Sequence, residues 1–420
     1  MKNEKTAKNS KTIEISDNPK PAEKKPEKSK KPQKPNKSNK KLIIICIFIA
    51  IFVAGGVTGL MILLNKKSGS GPTSTNSGSQ TPEIQRYYSN LSGLEIPDEK
   101  LNDSPIFCIQ VPNGTDGARP HVGLQEASIV YEAIAEAGIT RFAAVFQNPK
   151  NTVIGPIRSL RLYYLEWDTP LGCTVVHAGG ADDAIAALRS GGYNEIDEGA
   201  YNWRDGYDYI APNNLFTDAK NLSDFAKEYG LEDSGKNAKA YPRLLPTEAI
   251  EIQAKNIEAA KDTTDTEGKV VKSTTPLVSE ISINFGNFPD FNTHYSYNPQ
   301  SGSYARSYES GEKEISYVCS KENPIISRDC REEQIAPSAV VAMEVEESLA
   351  DDNYHQVIQA IGEGIAYIFQ NGEAHKGTWS KASAASQIIF KDENGKEVSF
   401  TPGMLWISAI PRGIGSVEYK

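Results

Sequence analysis

Two arginines three residues apart follow a glycine-proline turn in Gly155-Pro156-Ile157-Arg158-Ser159-Leu160-Arg161. Leu160, Tyr163, Tyr164 and Trp167 then recur at i, i+3, i+4 and i+7, which predicts a helix that starts here with Ser159 as its N-cap. In such a helix Arg158 and Arg161 lie off the apolar stripe, at the positive end of the helix dipole. Cations are unfavourable there unless an anion offsets them. A pair of guanidinium groups beside free backbone N–H groups makes a receptor for a carboxylate or a phosphate. The same charges can instead be met from within, by Asp182, Asp183, Glu132 or Glu136.

His177-Ala178-Gly179-Gly180-Ala181-Asp182 is the second candidate. A strand that ends in His and passes through glycines into a helix sets the imidazole at the carboxyl edge of a sheet, where α/β proteins bind ligands. His177 there is a candidate general base or ligand contact, with Glu132 as an alternative base. The expected ligand-binding set is Arg119, Arg141, Arg158, Ser159, Arg161, His177, Gly179, Gly180 and Asp182. There is no G-x-S-x-G elbow, H-E-x-x-H zinc helix or G-x-x-x-x-G-K-[ST] phosphate loop. Five histidines without a short cluster, and cysteines without a C-x-x-C pair, point to no metal and no cofactor.

These residues need elements to hold them. Residues 91–262 read as an α/β domain. Ile106–Val111, Ile129–Glu136, Thr140–Gln147 and Thr174–His177 read as its strands, although the alanines leave a helix open for Ile129–Glu136, and a helix runs from about Asp182 to Arg189. After a linker at 263–276, residues 277–420 read as a β-rich (α+β) domain of short alternating runs. Asn371-Gly372 and Asn394-Gly395 are its hairpin signals. Thr247–Asp262 reads as a helix between the halves. Cys319 and Cys330 share the second domain with a short loop between them, and a disulfide is expected there, worth roughly 3 kcal/mol in a chain-entropy model. The pairing of Cys108 and Cys173 stays open.

Ahead of both domains runs Leu42–Leu64, an uncharged apolar stretch of 23 residues. As a helix it is roughly 35 Å long, enough to cross a bilayer core of about 30 Å. Residues 1–41 hold fourteen Lys and five acids, a net charge of +9, and read as a disordered tail on the cytoplasmic side. Residues 65–90 form a flexible linker. The expected architecture is a single-pass anchor with an extracytoplasmic body. Gly55 and Gly59 have the spacing of a helix-pairing motif, which permits homo-oligomers. Residues 68–420 carry a net charge of −20, which argues against nucleic acid as a partner.

Beyond composition, Ala118-Arg119-Pro120, Gly123-Leu124, Tyr131-Glu132, Glu136, Gly138, Thr140-Arg141-Phe142, Gly155–Ser159 and His177–Gly180 resemble the YerB-like lipoproteins. Tyr304-Ala305-Arg306, Gly362-x-Gly364, Gly377-Thr378-Trp379, Pro402-Gly403 and Trp406 resemble the second half of that family. The family consists of two paired domains of unknown function in Gram-positive bacteria. The resemblance implies an outward-facing envelope protein and no particular activity. Many members carry a lipid-modified Cys where this chain is expected to use a helix, and Cys319 and Cys330 look like additions. The functional expectation is a binding module for a small anionic or carboxylate-bearing envelope ligand or wall fragment. The alternatives are an enzyme that modifies cell wall and a scaffold for envelope proteins.

Overall fold

The computed structural model describes residues 85–420 apart from 151, 207–208, 267, 287, 321–329 and 353. The apolar stretch Leu42–Leu64, the lysine-rich tail, and Gly55 and Gly59 lie outside the described residues. Among the described residues, no helix is long and apolar enough to cross a membrane.

A ten-stranded sheet runs through the body. Its order is Ile389–Lys391, Glu373–Lys381, Gly362–Gln370, Ala339–Val345, Leu405–Pro411, Ile129–Glu136, Ile139–Gln147, Ile106–Pro112, Thr174–Val176 and Glu195–Ile196. The first five strands come from the second half of the chain and the last five from the first half. The seam is a parallel pair, with Leu405 opposite Ile129 and Ser408 opposite Glu132. The two segments therefore share one sheet, and residues 83–420 form one compact unit. The body is mostly β, with few helices.

The central strands are near-continuous apolar runs because both of their faces are covered. One face carries Tyr131, Val145, Val341 and Ile407 against Tyr163, Tyr164 and Trp167 of the helix Leu162–Asp168 and Leu188 of the helix Asp182–Ser190. The other face carries Val130, Phe142, Val340 and Trp406. It packs on a four-stranded antiparallel sheet, ordered Ser303–Tyr308, Thr293–Asn298, Glu280–Asn284 and Ser416–Tyr419, and on the helix Ala219–Glu228. The helix between the halves spans Pro246–Ala259. Ala137-Gly138 and Asn371-Gly372 turn their hairpins with positive φ at both positions, which suits the twist of the flanking strands.

Two disulfides are formed. Cys319 joins Cys330. Cys108 joins Cys173 across the parallel strands Ile106–Pro112 and Thr174–Val176, with Cα atoms 5.9 Å apart.

Candidate functional site

The helix after the Gly155-Pro156 turn starts later than its apolar stripe suggests. It spans Leu162–Asp168, with Arg161 as an extended N-cap residue and no side-chain cap from Ser159. The reason lies in the backbone of 158–160, which pairs as an extended segment. Arg158 N–H donates to Gln110 C=O, Ala178 N–H to Arg158 C=O, and Leu160 N–H to Gly179 C=O. The two arginines therefore do not occupy a first helical turn, and the dipole argument for an anion loses its basis there.

Arg141 and Arg161 meet their negative charge internally. Glu136 at the end of its strand pairs with Arg141 through Oε1 and with Arg161 through Oε2, the latter at 2.6 Å. Arg141 Nη1 also donates to Ser159 C=O at 2.7 Å, and Arg161 Nη1 to Leu160 C=O at 2.9 Å. Burial pushes the Arg141 guanidinium down to about 10, against the pull of Glu136. Among the described residues Arg158 has no ion pair, and its Nε is buried without an acceptor.

His177 is fully buried. Its Nε2 lies 3.2 Å from Glu195 Oε2, and its Nδ1 lies 3.0 Å from Gly179 C=O. Arg189 contacts the same Glu195, and Gly179 N–H donates to Asp197 at 2.9 Å. Gly180 bridges to Leu160, and a Cβ there would press on the Leu160 carbonyl. His177 and the glycines thus stand beside the arginine cluster, at the carboxyl ends of Ile106–Pro112 and Thr174–Val176.

Arg119 is elsewhere. It donates to Asn113 Oδ1 at 2.8 Å, and its guanidinium lies 3.7 Å above the Tyr308 ring. Through Asn113 and Thr140 it belongs to a buried network centred on Glu132. Both Glu132 oxygens accept from Arg306 Nη2 at 2.9 Å, Oε2 accepts from Trp406 Nε1 at 2.9 Å, and Oε1 accepts from Thr140 at 3.1 Å. Arg306 also pairs with Glu314 and lies 4.3 Å over the Trp406 ring. Burial is the largest single influence and opposes its charge, but Glu132, Tyr295 and Tyr308 together outweigh it and the guanidinium is held above its ordinary value. Beside it, burial pushes His121 down to about 3, a neutral imidazole at physiological pH. Arg306, Glu314, His121 and Asn113 were not among the candidate residues. The clue was periodicity: Tyr304, Arg306 and Tyr308 share one face of their strand, and so do Val130, Glu132 and Ile134.

Asp182 lines a cleft of about 680 Å³. Its walls are Arg161–Tyr163 and Glu166, the Gly180–Asp183 turn, and Ala350–Asp352 with His355–Ile358 from the hairpin Glu347–Leu349/Gln356–Ile358. Five carboxylates line it: Glu166, Asp182, Asp183, Asp351 and Asp352. Arg161 is held by Glu136, and His355 pairs with Asp352 at 2.5 Å. Among the described residues, Cys108, Asp168 and Cys173 converge closely enough to hold a metal, but the disulfide takes the two thiolates.

The architecture is therefore a two-part β-rich body joined across one sheet, with Glu132, Glu136, Arg141, Arg161, Arg306 and Glu314 turned inward. Residues 91–232 match the "Protein of unknown function (DUF3048) N-terminal domain" and residues 281–407 the corresponding C-terminal domain, and the chain belongs to this family. It is similar to "Putative lipoprotein YerB" of Bacillus subtilis (strain 168), 24% identical over 325 residues, covering 76% of this chain and 85% of that one. The crystal structure of YerB protein from Bacillus subtilis has the same fold, with a TM-score of 0.57 at 22% identity over 79% of this chain and 99% of that one.

Proposed function

We propose that the protein is a non-catalytic, extracytoplasmic component of the bacterial cell envelope, and that its body binds an amine-bearing polar ligand in the 680 Å³ cleft. The observation that carries this reading is the state of the two candidate bases. Glu132 is fully buried and its oxygens are already engaged by four different side chains. His177 is equally buried between Glu195 and Gly179. A general base must reach the proton that it abstracts, and neither has an open path. The cleft draws its walls from both halves and offers an acidic rim over Leu162, Val357 and Ile358, a combination that suits a cation with an aliphatic stem. The placement outside the membrane draws on the charge split along the chain, on the lipoprotein relative and on the expected span at Leu42–Leu64.

Isothermal titration of the purified protein with a lysine-containing peptide tests this. Binding is expected, and the double variant Asp182→Asn/Asp351→Asn should weaken it at least tenfold. Absence of binding, or binding indifferent to the variant, overturns the cleft reading. A second reading rests on Arg158, whose buried Nε has no acceptor among the described residues: a carboxylate or phosphate ligand completes that group. Glutamate or phosphate binding that Arg158→Gln abolishes would favour it.

A further inference from the structure

Glu347 and Gln356 of the hairpin Glu347–Leu349/Gln356–Ile358 line a second, smaller cavity of about 130 Å³. Its walls are apolar: Ile134, Phe285, Phe288, Pro411 and Ile414. Gly138 lines it too, and a Cβ there would run into the Phe288 ring. One carboxyl group, that of Glu347, lines this apolar cavity. With its amide turned to donate, Gln356 gives Glu347 Oε1 a hydrogen bond at 3.2 Å and the Ser348 carbonyl another at 3.0 Å. Glu347 Oε2 is buried and has no hydrogen-bond partner among the described residues.

The surrounding charges are committed elsewhere. On the same hairpin Glu346 pairs with Arg412, and Asp352 pairs with His355. At the end of its central strand Glu136 is taken by Arg141 and Arg161, and the Tyr163 hydroxyl donates to Ile134 C=O at 2.8 Å. A buried carboxylate with a free oxygen is costly unless a cation or a donor completes it. We infer that this cavity is a binding site for a small primary ammonium group, such as the end of a lysine side chain, with Glu347 as its counter-ion and the Phe285 and Phe288 rings around its stem. This site shares Gln356 with the lining of the acidic cleft, but the inference does not rest on that cleft.

Its volume suits a chain of about four carbons with one nitrogen, so n-butylammonium is the probe. Burial pushes the Glu347 carboxyl up to about 7, and the cation needs the ionised form. The apparent affinity should therefore rise about tenfold from pH 6 to pH 8. The full-length protein, labelled on isoleucine δ1 methyl groups, carries reporters in both places: Ile134 and Ile414 line the cavity, and Ile358 lines the cleft. Saturable shifts at Ile134 and Ile414 that disappear in Glu347→Gln, while the other methyl signals keep their positions, are the expected result. Glu347→Gln removes a charge that has no ion pair among the described residues, and should fold. No shift at Ile134 and Ile414, or shifts of equal size in Glu347→Gln, would overturn the site. Shifts confined to Ile358 would overturn it as well, and would leave the cleft reading standing.

Discussion

Replacing Arg306 by Met should be the most damaging single change in the body. Its guanidinium is the cation between two buried carboxylates, Glu132 at 2.9 Å and Glu314, and all three side chains are essentially inaccessible. Removing one member of a buried pair costs about 3–5 kcal/mol, because a charge is left without compensation. Arg306→Met strands two carboxylates, whereas Glu132→Gln leaves Arg306 its pair with Glu314. The arginine variant should therefore sit at or above the top of that range, and the glutamate variant near the bottom. For a body of this size 3–5 kcal/mol lowers the melting point by on the order of 10 °C. Calorimetry or near-ultraviolet dichroism of the purified variants measures it. In the cycle with the double variant Glu132→Gln/Arg306→Met, the losses should fall short of additive by more than 1 kcal/mol or so, since the pair is in direct contact. If Arg306→Met costs under about 1 kcal/mol, or the two losses simply add, Glu132 and Arg306 do not form the hub described above.

Glu347 gives a pH signature. Its folded value, about 7, lies above the ordinary 4.5, so ionisation opposes folding. Stability should fall as pH rises from about 4.5 to 7 and level off beyond. The ceiling is about 3 kcal/mol, and Glu347→Gln should flatten the slope in urea titrations at several pH values. Glu136→Ala leaves Arg141 and Arg161 side by side in a buried place, and should cost about 3 kcal/mol or more. The double change Glu136→Ala/Arg141→Leu should recover part of that in the same assay. The Cys108–Cys173 bridge closes a loop of 65 residues and Cys319–Cys330 one of 11. In the chain-entropy model the first contributes about 4 kcal/mol and the second about 3, so Cys108→Ala/Cys173→Ala should lower the urea midpoint more than Cys319→Ala/Cys330→Ala.

Strands written as apolar runs were legible. Ile106–Val111 and Ala339–Val345 need no partner to be recognised, because their composition is local, whereas the alanines of Ile129–Glu136 leave a helix open until its neighbours are in place. Asn371-Gly372 announced its turn for the same reason. The start of the helix at Leu162 was not legible, because the extended pairing of 158–160 with 178–180 competes with helix formation and depends on residues far away in the chain. The arginine cluster shows the same limit. Glu136 was among the acids able to neutralise Arg158 and Arg161, but only the fold shows that it takes Arg161 and Arg141 together and leaves Arg158. The hub was half legible. An arginine between two tyrosines on one face of Ser303–Tyr308 faces inward by alternation, yet nothing local joins it to a glutamate 174 positions earlier.

The seam between Leu405–Pro411 and Ile129–Glu136 also sets the order in which this protein can be completed. A strand near the C-terminus occupies the middle of the sheet, between neighbours that begin at 129 and at 339. While the chain emerges from a ribosome or passes through a membrane pore, the first half has an open sheet edge along Ile129–Glu136 until residue 405 arrives. Closing that gap requires contacts between residues about 276 positions apart, the kind of pairing that slows folding. Through that interval the nascent protein exposes an apolar edge able to pair with other chains, so a holding chaperone or a fast rate of delivery matters more here than for two domains that fold in turn. A premature stop before 405 would not trim the protein but leave it unfinished at its centre.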